Sequence, residues 1–186
     1  MPDQFRIPIM REDAVGRAIA RMAREILERN EGTERLALMG IHRRGVQIAH
    51  LLQDEIERAA GVRVPRGSID ITLYRDDLMA IGPRPVIGES KLPPGGIDNR
   101  AVVVVDDVIF TGRTARAAMN ELMDWGRASR IYYCALVDRA GRELPIQPDI
   151  VGRAVTVLPH QRVDVMVPEI DGVLGVDVVT TSPEAA

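Results

Sequence analysis

The sequence predicts an α/β domain built on a parallel sheet with helices on both faces, and three features predict it. Two strand-loop-helix units recur along the chain, one from Leu36 to about Ala59 and one from Ala101 to Trp125. The run Ala101 to Val105 (AVVVV) is apolar at every position, as a central parallel strand covered on both faces must be. Ile131 to Val137 has the same character, so strands and helices alternate as they do where helices cross over a parallel sheet.

From Asp13 to Asn30 the residues Val15, Ile19, Met22 and Ile26 recur at helical spacing, which predicts an amphipathic helix with one buried stripe. Arg17, Arg21 and Arg24 line its opposite face, as a solvated surface or as a ligand-facing basic ridge. Leu36 to Gly40 reads as a strand, IHRRG as a loop, and Val46 to Ala59 as a second amphipathic helix. Ser68 to Tyr74 (SIDITLY) alternates like a strand, and the Gly/Pro-rich stretch over about 75–100 reads as a flexible loop of the kind that covers sites. Thr114 to Trp125 carries Ala115, Met119 and Leu122 on one helical face and stops at Gly126. Short β-prone pieces at Ala154 to Leu158, Val163 to Val167 and Val176 to Thr180 finish the chain.

With 186 residues, 46% apolar and 27% charged, residues 1–186 suit one domain with a single core. The N-terminus MPDQFRIPIM meets charge too early for a signal peptide, and no apolar run approaches a membrane span, so a cytoplasmic protein with no membrane partner is expected. Cys134 lies in an apolar run and reads as a small buried hydrophobe. Among 24 basic residues Lys91 is the one lysine and follows no Walker pattern, which disfavours P-loop and Schiff-base chemistry. A net charge of -3 supplies no global field toward nucleic acid, so RNA binding would need a local basic patch.

The stretch Val102 to Thr114 (VVVVDDVIFTGRT) carries the most chemistry. A buried strand delivers Asp106 and Asp107 at its carboxyl end, and Thr111, Gly112, Arg113 and Thr114 then open a helix. Unpaired N–H groups and hydroxyls at a helix N-terminus suit a phosphate dianion, and Gly112 lets the backbone approach it. Two carboxylates beside a phosphate need hydroxyls or a cation as partners, which a sugar diol or Mg2+ provides. A ribose 5-phosphate meets both requirements. Structurally, the same residues could simply end a strand and cap a helix.

VVVVDDVIFTGRT resembles the phosphoribosyl pyrophosphate (PRPP) motif of type I phosphoribosyltransferases. The resemblance implies a type I phosphoribosyltransferase-like parallel sheet flanked by helices, with a small C-terminal β hood at about 150–180. It implies that Asp106 and Asp107 bind the ribose hydroxyls, that Val108, Ile109, Phe110, Thr111, Gly112, Arg113 and Thr114 form the substrate loop, and that IHRRG, with Arg43 and Arg44, is the pyrophosphate loop. Arg75 in YRDDLM could fold over the diphosphate and Arg84 could add a contact, although a charged surface loop is an equal reading. His42 has no nucleophile or metal partner nearby in sequence and reads as solvated.

SIDITLYRDDL, VDDVIFTGRT and ALVDRAGRELPIQPDIVGR together resemble the family of bifunctional pyrimidine-operon regulators and uracil phosphoribosyltransferases, over nearly the whole chain. That resemblance implies conversion of uracil and PRPP to UMP and pyrophosphate, with Mg2+ held mainly by PRPP and with Asp106 and Asp107 as its carboxylate neighbours. It implies a base site near Arg139 and Val163, homodimers or higher homo-oligomers, and binding of pyrimidine leader mRNA in response to UMP. Arg17, Arg21, Arg24, Arg142 and Arg153 are the RNA candidates. Here the chain departs from the family pattern: Gly141 stands where a histidine is usual, Gln147 for an arginine, and Ala20 and Arg24 for a threonine and a histidine. Two alternatives stay open, a non-catalytic uridine-nucleotide sensor that binds RNA and an enzyme acting on a purine or orotate.

Overall fold

The computed structural model describes residues 5–71 and 89–180. Among them a five-stranded parallel sheet runs in the order β3-β2-β4-β5-β6, made of Leu36–Ile41 (β2), Arg66–Ile69 (β3), Ala101–Ile109 (β4), Arg130–Arg139 (β5) and Ile150–Val155 (β6). The valine run explains why β4 is central: Val102 to Val105 are fully buried, which only a strand covered on both faces permits.

Helices α1 (Glu12–Arg29) and α2 (Arg44–Ala60) cover one face, where Val15, Met22, Ile48 and Leu52 pack against Leu38, Val103 and Val105. Helix α3 (Arg113–Trp125) covers the other, with Ala115, Ala118 and Leu122 against Val102, Val104 and Tyr133. The expected layering is therefore observed. The helices begin one or two residues earlier than their apolar patterns suggest, so Arg44 and Arg113 occupy first helical turns.

The expected hood at 150–180 divides. Residues 150–155 belong to the main sheet, parallel to β5, while Gln161–Met166 (β7) and Gly175–Thr180 (β8) pair antiparallel and take Phe5–Met10 (β1) as their third strand. Gly152 shows why β6 docks so closely: a Cβ there would lie 2.4 Å from the Leu136 carbonyl oxygen. Between β7 and β8 sits the short helix α4 (Pro168–Asp171). The strand expected over Ser68 to Tyr74 begins at Arg66 and ends at Ile69, and residues 72–74 lie outside the described residues. Of the expected loop, 89–100 returns along β3, with Ser68 and Lys91 exchanging backbone hydrogen bonds at 2.8 Å. Residues 72–88, Arg75 and Arg84 included, are outside the described set.

Candidate active site

The site lies beyond the carboxyl ends of β2, β4 and β5, where a parallel sheet presents its loops. Asp106 is buried toward the carboxyl end of β4, 4% exposed. Its Oδ2 accepts a hydrogen bond from the Tyr133 hydroxyl at 2.6 Å and its Oδ1 accepts from the Asp107 amide at 3.0 Å. Burial, together with the neighbouring Asp107 carboxylate, pushes the Asp106 carboxyl well above its ordinary range, against the opposing pull of Tyr133. Burial raises Asp107 too, while Arg44 favours its charged form.

Gly112 follows with φ +91 and caps α3, so the chain turns sharply from strand to helix. The turn is held from below: the Thr111 carbonyl accepts from the Glu143 and Leu144 amides at 2.9 and 3.0 Å, and Glu143 pairs with Arg113 at 2.7 Å. Thr111 Oγ1 faces the Arg113 amide at 3.3 Å. The first turn of α3 thus presents amide N–H groups and the Thr111 and Thr114 hydroxyls near two carboxylates, as an anion with adjacent hydroxyls requires.

The IHRRG loop is pressed against β4. A Cβ on Gly45 would lie 2.5 Å from the Val105 carbonyl oxygen, and one on Gly40 would lie 2.5 Å from the Val46 Cα, so two glycines let the start of α2 meet the strand that carries the acids. Arg43 is exposed beside a cis His42–Arg43 peptide. Arg44 is paired on two nitrogens with Asp171 of α4 and feels the charge of Asp107.

On the β5 side the Arg139 guanidinium lies 3.9 Å from the centroid of the Phe110 ring, a cation-π stack. Its Nε is buried without a hydrogen-bond partner, and burial lowers the tendency of this side chain to hold its proton. Phe110 also meets Gly141, where a Cβ would come within 2.3 Å of the ring. Val163 lies on β7 opposite Val178 and packs on the larger apolar cluster.

Among the RNA candidates, Arg17, Arg21 and Arg153 line one groove of about 320 Å³ between α1 and β6, and Arg24 lines the adjoining depression with Arg21 and Arg29. Arg21 already bonds the Val151 and Gly152 carbonyls, Arg17 pairs with Asp13, and Arg153 bonds the Ile9 carbonyl. Arg142 differs from that group. Its guanidinium is turned into its own loop, bonded to the carbonyls of Phe110, Arg139 and Ile146 and to Asp138 and Gln147, with the side chain 14% exposed. Cys134 is fully buried and burial pushes its thiol far up, in keeping with a packing residue.

Tyr133 and Asp171 are the two site neighbours that sequence reasoning passes over. A tyrosine inside an otherwise apolar, doubly covered strand is a usable signal, because a buried phenol needs a partner. Asp171 sits in an ordinary-looking turn and has no comparable signature.

Comparison with known proteins fits this geometry. A family model described as "Phosphoribosyl transferase domain" matches residues 9–165. "Bifunctional protein PyrR" of Herpetosiphon aurantiacus is 51% identical over 163 residues, 88% of this chain and 90% of that protein. Its namesake in Thermus thermophilus is 49% identical, over 91% of this chain and 93% of that protein. This chain belongs to the bifunctional PyrR family of phosphoribosyl transferases. Solved structures of similar fold include a hypoxanthine phosphoribosyltransferase of Trypanosoma cruzi, with TM-score 0.69, 20% identity and coverage of 98% of this chain and 97% of that one. The Staphylococcus aureus hypoxanthine phosphoribosyltransferase is similar, at TM-score 0.67 and 18% identity, covering 97% and 94%. At those identities the likeness is one of fold. No helix among the described residues of this PyrR-family chain is long and apolar enough to cross a membrane.

Proposed function

We infer that this protein transfers the phosphoribosyl group of PRPP to uracil, giving UMP and pyrophosphate. The observation that carries the reading is the Asp106–Asp107 pair at the end of β4, the first buried and the second half-buried, a few residues before the α3 N-terminus and with Asp107 acting on the charge of Arg44. In this reading the first turn of α3, with Thr111 and Thr114, binds the 5-phosphate, and Asp106 and Asp107 accept hydrogen bonds from the ribose hydroxyls. Arg43, Arg44 and the α2 N-terminus take the diphosphate. The bond from ribose C1 to the diphosphate oxygen breaks as the bond from C1 to uracil N1 forms, and N1 loses its proton. Positive charge develops on the sugar ring while negative charge leaves with pyrophosphate, so fixed dipoles and cations at both ends lower the barrier. Arg139, stacked on Phe110, offers its guanidinium to a base carbonyl, and Val163 belongs to the hood strand that would close over it.

Mg2+, when bound, neutralises charge on the diphosphate. Among the described residues no cluster of three or more His, Cys, Asp or Glu side chains could hold a metal unaided. Both Asp106 oxygens already accept hydrogen bonds. That donor set fits an ion carried on substrate oxygens, with Asp106 and Asp107 as the carboxylates that would meet it.

The test is UMP formation from uracil and PRPP with Mg2+, with hypoxanthine and orotate as competitors. Turnover with uracil is expected, with loss of at least about a hundredfold in an Asp106→Asn, Asp107→Asn double variant. Turnover no greater than that of the double variant, or a preference for either competitor, would sink the assignment.

A second activity, UMP-dependent binding of pyrimidine leader mRNA, draws support from the α1–β6 groove lined by Arg17, Arg21 and Arg153 and from relatives named bifunctional. Filter binding to leader RNA across a salt series checks it. Arg17→Ala and Arg21→Ala are each expected to weaken binding and reduce the slope of log affinity against log salt by somewhat under 1, the single-strand value per phosphate contact being about 0.7. Arg142→Ala is expected to act through its loop and leave that slope unchanged.

A further inference from the structure

Asp171, in the hood turn between β7 and β8, grips one edge of the Arg44 guanidinium. Oδ2 accepts from Nε at 3.2 Å and Oδ1 accepts from Nη2 at 2.8 Å, a two-point contact that sets the plane of the guanidinium as well as its position. The carboxylate is itself anchored, because Oδ2 also accepts the Val167 amide at 2.9 Å. Arg44 is half-buried and Asp171 lies at the surface, with 35% and 21% of their side chains exposed. The contact spans the fold, joining residues 127 apart in sequence, and brings the hood onto the start of α2.

An arginine at the start of a helix would otherwise sample several rotamers, and ordering it at the moment of binding costs side-chain entropy. Here that ordering is done before substrate arrives. Asp171 uses the Nε side of the fork, and among the described residues Nη1 has no hydrogen-bond partner, so the free edge remains for an anion. Arg44 also feels the charge of Asp107, one of the two acids of β4.

We propose that Asp171 is a positioning residue for phosphoribosyl transfer, holding Arg44 preset for the diphosphate of PRPP and thereby coupling the hood to the pyrophosphate side of the site. The proposal rests on the reading of Arg44 as a diphosphate ligand. A purely structural role for Asp171, capping its turn through the Val167 amide, makes a different prediction.

The experiment is a double-variant cycle on the full chain, with initial rates of UMP formation measured as PRPP is varied at saturating uracil. Asp171→Asn keeps the size of the side chain and an oxygen for Val167 but removes the charge. It should raise KM for PRPP about tenfold while kcat changes by less than about threefold. Arg44→Ala should raise that KM at least as much, and adding Asp171→Asn to Arg44→Ala should change it no further. A general loss of stability would shift both backgrounds alike and cannot imitate this coupling. An unchanged KM in Asp171→Asn, or an equal rise in both backgrounds, overturns the proposal and leaves Arg44 as a ligand. A wild-type KM in Arg44→Ala overturns the role of Arg44, and the proposal with it.

Discussion

Asp106 combines burial with charge, and its chemistry follows from two hydrogen bonds, one from Tyr133 and one from the Asp107 amide. Replacing Tyr133 by Phe removes the one side-chain donor that favours its ionised form. The Asp106 carboxyl then rises further, so the acid limb of kcat/KM for PRPP should move to higher pH and the plateau should fall by roughly tenfold, about the worth of one hydrogen bond to a charged group. A pH-rate profile of Tyr133→Phe beside wild type measures both. The same residue couples stability to pH. A carboxyl held above its unfolded value binds its proton more tightly in the folded state, so its stabilisation is full at acid pH, below the unfolded value, and is lost as pH rises through the folded one. Asp106→Asn, which cannot ionise, should therefore melt higher than the ligand-free wild type at pH 8, by on the order of 1 kcal/mol, and the gap should close toward pH 4. The two acids are legible in sequence because they adjoin an unbroken valine run, whereas Tyr133 comes into play only through the parallel register that sets β5 beside β4.

At the scale of elements, the site depends on how closely α2 starts against β4. Gly45 makes that approach possible, and a methyl group in its place would collide with the Val105 carbonyl. Gly45→Ala is expected to cost about 1–3 kcal/mol and to lower the melting temperature by several degrees. It should also raise KM for PRPP, since Arg44 and the acids would separate; thermal melts and PRPP titration read the two effects. The strand-turn-helix pieces themselves were readable, β4 and α3 from a stretch in which every cue is local. Their starts were less so: Arg44 and Arg113 carry no apolar signal, yet both enter helices because the turns before them close there.

For the whole molecule, the hood shows what chain-wide contacts add. β1 supplies its edge strand, pairing with β8 from the opposite end of the chain, and Arg6 reaches Asp164 and Asp177 at 3.0 and 3.4 Å. Removing residues 1–10 leaves intact every site residue named from the sequence, yet should lower the melting temperature and raise KM for PRPP, because β8 loses its pairing with β1, Asp164 and Asp177 lose Arg6, and the hood that carries Asp171 is left with two strands. Kinetics and melting of the truncated chain check this. By itself the sequence determined the layered α/β class, the central strand, the acid pair and the turn from Thr111 into α3, because apolar period, capping chemistry and a contiguous motif are written within a few turns of backbone. Only the tertiary structure decided that β1 joins the hood and β6 the main sheet, that Tyr133 underlies Asp106, that Asp171 holds Arg44, and that Arg142 is spent within its own loop. Each of these turns on how separate elements are set against one another, and such pairings leave no periodicity in the chain for a sequence reading to find.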